Sequence, residues 1–169
     1  HEQDGESYCL RHLHPFEWKS IQPGTKDKPD RNYLFDVKFS IHCFTRDPYS
    51  NEQVHESQWY SDSRERRVFC RERYLLSHQL PEIIRSTDKH KVLNTKKGNY
   101  LTIEVIDEEG NTRDYHVYFS VSRSSKKKGF LNLYVQSAYS EVTGNRPKHL
   151  KPIGLHVIAF NTLTKKPIK

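Results

Sequence analysis

Three histidines recur at even-numbered positions between apolar odd-numbered neighbours: His42, His116 and His156, with Glu104 and Tyr118 in the same phase. Period-two alternation turns one face of a sheet toward a core and the other outward. These groups are therefore expected together on one outward face. An imidazole changes charge near neutral pH and serves as a general acid or base, so the first chemistry to consider is proton transfer. Imidazole and carboxylate are also common metal ligands. If a metal were bound, His42, Glu104, His116 and His156 would be the set to hold it. No HExxH or Cys/His finger spacing accompanies them, and neither metal nor cofactor is expected.

The elements that would position these side chains follow from the pattern. Four alternating segments run through residues 99–160, with apolar sets Leu101, Ile103, Val105; Tyr115, Val117, Phe119, Val121; Leu131, Leu133, Val135; and Ile153, Leu155, Val157, Ala159. Asp107–Asn111 and Arg123–Gly129 read as hairpin turns between them, and Ser140–Lys151 reads as a longer basic connection. Upstream, Tyr33–Phe44 alternates as a long first strand, and Arg46–Arg66 is a long polar loop of the kind that often carries function. Arg67–Cys70 is a short strand. Arg71–Ser86 has helical spacing interrupted by Pro81, which predicts two short helices with the proline in the first turn of the second. Residues 1–31 read as an N-terminal arm with a short helix near Pro15–Trp18. The expectation is one domain over 1–169, with the arm at 1–31 and the core at 32–169. Its class is α+β, an antiparallel meander sheet of four to six strands with short helices on its apolar face.

Composition narrows the partners. Hydrophobic residues make up 34% and charged residues 29%, and no apolar run is long enough to span a bilayer. Three cysteines with no CxxC spacing argue against a disulfide framework and for a cytoplasmic protein with reduced thiols. Residues 1–88 carry 13 Lys+Arg against 15 Asp+Glu, whereas residues 89–169 carry 15 against 6, a net of +9. The basic half suits a polyanion. Lys126, Lys127 and Lys128 in one turn, with Lys148 and Lys151, would meet a phosphate backbone, and Tyr118, Tyr134 and Tyr139 would stack on bases. No Gly-rich phosphate loop or GxSxG elbow is present, which sets aside kinase, Rossmann and hydrolase readings.

The segments Tyr115–Phe119 and Leu131–Tyr139, the latter closing on Ser137-Ala138-Tyr139, resemble the late strands of the barnase–RelE-like ribonuclease superfamily over about residues 70–160. The resemblance implies a toxin- or defence-type domain that cleaves RNA without metal. There the ribose 2′-OH attacks phosphorus while side chains move the protons and cations stabilise the charge. On this chain it implies His42 or His116 as acid and base, Arg73 and Arg123 as charge stabilisers, and Ser137 and Tyr139 as orienting groups. RNA is then the expected partner, together with an inhibitory protein. The alternatives are a non-catalytic nucleic-acid- or protein-binding module and a His/Glu metal-dependent enzyme.

Overall fold

Tyr33, Phe35 and Val37 fall at every second position of a strand that buries all three on one side, with Leu34, Asp36 and Lys38 facing the other way. Around it the computed structural model describes residues 1–3, 5–95, 98–106, 110–142 and 151–168. In chain order the elements are β1 (Glu2–Gln3), β2 (Glu6–Ser7), β3 (Phe16–Gln22), β4 (Arg31–Phe39), β5 (Thr45–Arg46), β6 (Trp59–Ser61) and β7 (Arg66–Phe69). Helices α1 (Arg71–Ser77) and α2 (Leu80–Arg85) follow, then β8 (Val92–Thr95), β9 (Gly98–Ile106), β10 (Thr112–Arg123), β11 (Phe130–Val142), β12 (Pro152–Ile153) and α3 (Leu155–Thr164). Pro81 lies in the first turn of α2, where its missing N–H has no intrahelical partner to lose.

The fold is α+β, but the main sheet is not an antiparallel meander. It has seven strands in the order β12-β8-β9-β10-β11-β4-β3. All neighbours are antiparallel except β11 and β4, which run parallel from Phe130↔Leu34 to Val135↔Phe39. A parallel pair needs a long crossover, here the helices and β8–β10 that separate β4 from β11 in the chain. Alternation within a strand carries no record of neighbour direction. Two further expectations are corrected. Pro15–Trp18 is not a helix, because β3 pairs along β4 from Phe16↔Val37 to Gln22↔Arg31 and ties the arm into the sheet. The long first strand ends at Phe39, and Ile41–Cys43 is a 3₁₀ turn capped by the Ser40 hydroxyl.

The last predicted strand is the clearest reversal. Leu155, Ile158 and Ala159 are buried to 1% or less while Val157 is 48% exposed, so the chain packs at i, i+3 and i+4 as α3. Only Pro152–Ile153 remains extended, paired to β8. The apolar face of the sheet, including Phe35, Val37, Val117, Phe119, Leu131, Leu133 and Val135, forms one core with α2 and α3. The opposite face carries the polar residues. No helix among the described residues is long and apolar enough to cross a membrane.

Candidate functional site

A bulge in β11 decides which side chains share the polar face. Tyr118 lies opposite Ser137 but Phe119 lies opposite Val135, so Gln136 is the extra residue. Beyond it the phase inverts. Ala138 turns into the core at 0% exposure, and Ser137, Tyr139 and Glu141 join Tyr118, His116 and Asp114 on the polar side. The strand pattern read straight through Leu131–Val135 does not reveal this, because a bulge changes register without a distinctive residue here.

Around the bulge, part of the predicted site assembles. The His116 and Tyr139 rings lie 5.6 Å apart, and Tyr118 and Tyr139 stack with their hydroxyls 3.4 Å apart. His116 Nδ1 is 3.3 Å from the Thr102 hydroxyl, and its Nε2 is 3.8 Å from Glu141. The Arg73 guanidinium lies over the Tyr139 ring and donates to the carbonyls of His42 and Thr45 at 3.2 and 2.7 Å. That bonding ties α1 to the turn after β4.

The geometry corrects the expectation of three histidines on an open face. His116 is outward in phase but only 2% exposed. His42 sits in the 3₁₀ turn, and its Nε2 donates to Glu65 at 2.8 Å. His156 lies on α3 at the apolar side of the sheet, stacked on Tyr33. The Ser20 hydroxyl donates to Asp88 at 2.7 Å and so accepts from His156 Nε2 at 2.8 Å. His156 and His116 therefore occupy opposite faces. His42, Glu104, His116 and His156 do not gather, and among the described residues no group of three or more His, Cys, Asp or Glu is placed to hold one metal ion. Arg123 is also far away. It lies seven residues along β10 from His116, about 23 Å at 3.3 Å per residue, which removes it as a partner for chemistry at His116.

The other end of the polar face is open. Tyr134, 36% exposed, lies between Lys38 of β4 and Ser120 of β10, and Asn132 lies between Asp36 and Ser122. Lys126 and Lys128 are exposed on the adjoining β10–β11 hairpin. Lys127 is committed elsewhere: its ammonium bonds Glu17 at 2.6 Å and Asp36 at 2.8 Å, and the two carboxylates raise its pKa. A cleft of about 500 Å³ lies beside this ion pair, lined by Phe16, Lys38, Ser124, Lys126 and Asn132 among others. Lys151 is exposed at the opposite edge of the sheet, next to β12, and Lys148 lies outside the described residues. The predicted cations thus do not form one patch.

Sequence reading passed over one histidine cluster. His12 and His78 stack at 3.8 Å, and the buried Ser77 hydroxyl donates to the Tyr74 carbonyl and accepts from His12 Nε2. Burial first, and then the neighbouring His78, lower the His12 pKa to about 4. Partners 65 residues apart leave no local signal.

The YjaZ family model matches residues 1–163. The chain is 33% identical over 167 residues to Protein YjaZ of Escherichia coli (strain K12), an alignment covering 98% of this chain and 89% of the relative. No solved structure matches. Neither match names a ribonuclease. A family match running from the first residue into α3, together with a relative 33% identical over nearly the whole chain, establishes that the chain belongs to the YjaZ family.

Proposed function

We propose that the chain binds single-stranded RNA on the open half of its polar sheet face, as a binding module. One observation carries this reading: Tyr134 stands exposed beside Lys38, with Ser120 and Asn132 on the same face and Lys126 and Lys128 on the adjoining hairpin. A π-face flanked by cations is how single-strand binders hold bases and backbone without reading sequence. The test is fluorescence anisotropy with a labelled oligouridine, followed by electrophoresis of the same RNA. Binding with the RNA left intact, with and without EDTA, is the expected outcome. Failure to bind at low salt refutes it.

A second reading, metal-independent RNA cleavage, is favoured by the His42–Glu65 pair. His42 is one-third exposed, and a carboxylate fixes its imidazole at 2.8 Å, the arrangement that orients a general acid or base. It predicts cleavage that survives EDTA and disappears in His42→Ala.

A further inference from the structure

The seven-stranded sheet ends on one side in β12, only two residues long, and on the other in β3, seven residues long. Among the described residues no loop backbone bonds to the outer edge of β3. An unpaired edge is a template for another strand, and the side chains of β3 specify which. Glu17, Lys19 and Ile21 are exposed on the polar face, with Ile21 at 48%. Phe16 and Trp18 stand partly buried on the other face, Trp18 stacked on Phe35.

We propose that two copies of this chain join edge to edge through β3, antiparallel about Trp18. Opposed residues in an antiparallel pair share a face. The Trp18-centred register therefore sets Glu17 of each copy against Lys19 of the other, twice per dimer. It brings the two Trp18 rings together on the apolar side and sets Ile21 against Pro15. A register centred one residue away opposes Lys19 to Lys19 or Glu17 to Glu17, which is repulsive. Lys19 has no ion pair among the described residues, so it is available, and Pro15 falls at the end of the ladder, where a missing N–H costs least. The pairing would fuse two polar faces into one continuous surface, which places the two Tyr134 platforms on the same side of the assembly.

The test is sedimentation equilibrium on the full chain, comparing wild type with Glu17→Lys, Lys19→Glu and the double swap. Both positions are exposed, and circular dichroism checks folding. The wild type should be a dimer. Each single variant turns two attractive pairs repulsive and should weaken the dimer roughly thirty-fold. The double swap should restore it. Lys127→Gln frees the Glu17 carboxylate from its own hairpin and should leave the dimer intact. A wild type that stays monomeric across the concentration series overturns the proposal. So does a double swap as weak as its parents, or dissociation by Lys127→Gln as complete as by Glu17→Lys.

Discussion

The RNA-binding reading makes separate demands on Tyr134 and Lys38, although the two are partners across β11 and β4. Tyr134 contributes a ring that is 36% exposed and uncharged. Truncating a stacking aromatic costs about 1–3 kcal/mol per base, so Tyr134→Ala should weaken oligouridine binding roughly five- to 150-fold. Because no charge is lost, the dependence of affinity on salt should stay as it is. Lys38→Gln removes one cation. On a single strand each phosphate contact contributes about −0.7 to the slope of log K against log salt, so this slope should become shallower by about 0.7. With Lys38, Lys126 and Lys128 as the available cations and Lys127 held by Glu17 and Asp36, the wild-type slope should be about −2. The assay is anisotropy of a labelled oligouridine at four or five salt concentrations for the three proteins. Tyr134→Ala binding like wild type refutes the stacking platform. A Lys38→Gln slope equal to wild type refutes the assignment of phosphate to this side of the face.

Other outcomes follow from the same geometry. The His12 pKa is lowered from 6.5 to about 4, so between those values the folded chain binds fewer protons than the unfolded one. Its contribution to stability is fully present above about pH 6.5 and is lost as pH falls toward 4. Allowing for the ring's solvent exposure, this amounts to about 1 kcal/mol. Chemical denaturation at pH 7 and pH 4.5 should show His12→Gln losing less stability than wild type over that interval; equal losses would exclude the burial of His12 beside His78 as the cause. A Cβ on Gly98 would stand 3.1 Å from the Phe119 carbonyl and 3.3 Å from Gln136 Oε1. Gly98→Ala should therefore cost about 1–3 kcal/mol in a urea melt, and an unchanged midpoint would contradict it. Leu133→Ala empties a fully buried site and should cost about 2–5 kcal/mol by the same measurement.

Much of the fold was legible because burial on one side leaves a period. β9, β10 and the start of β11 follow their apolar odd residues, and Pro81 separates α1 from α2 as its chemistry requires. The failures have a common form, in which two structures satisfy one pattern. Leu155, Val157 and Ala159 alternate, but Leu155, Ile158 and Ala159 also make a helical stripe, and packing selected the stripe. β3 shows the converse. Phe16, Trp18 and Ser20 alternate over only a few residues, so pairing with β4 rather than local propensity makes them a strand. The parallel contact of β4 with β11 lies beyond any local pattern, since it joins segments about a hundred residues apart.

The candidate site was less legible because strand phase assigns a face but not its cover. His116 and Tyr134 both belong to the polar face, yet one is 2% exposed and the other 36%. A group that touches a polymer must be reachable, and an acid or base must come within hydrogen-bond distance of the proton it moves. That requirement separates the two ends of one face. The end with His116, Tyr118 and Tyr139 is interlocked through rings, hydroxyls and the Arg73 guanidinium, and its chemistry is directed inward. The end with Lys38, Ser120, Asn132 and Tyr134 presents flat, short and cationic groups to the outside. Side chains that look most reactive in the sequence are thus engaged with one another, and the plainer Lys38 and Tyr134 are the ones left exposed. The exception is His42, which the end of β4 at Phe39 releases from the sheet into a turn where Glu65 can orient it. The cleavage reading therefore sets the reacting phosphate beside that turn, and His42→Ala rather than His116→Ala is the variant that decides it.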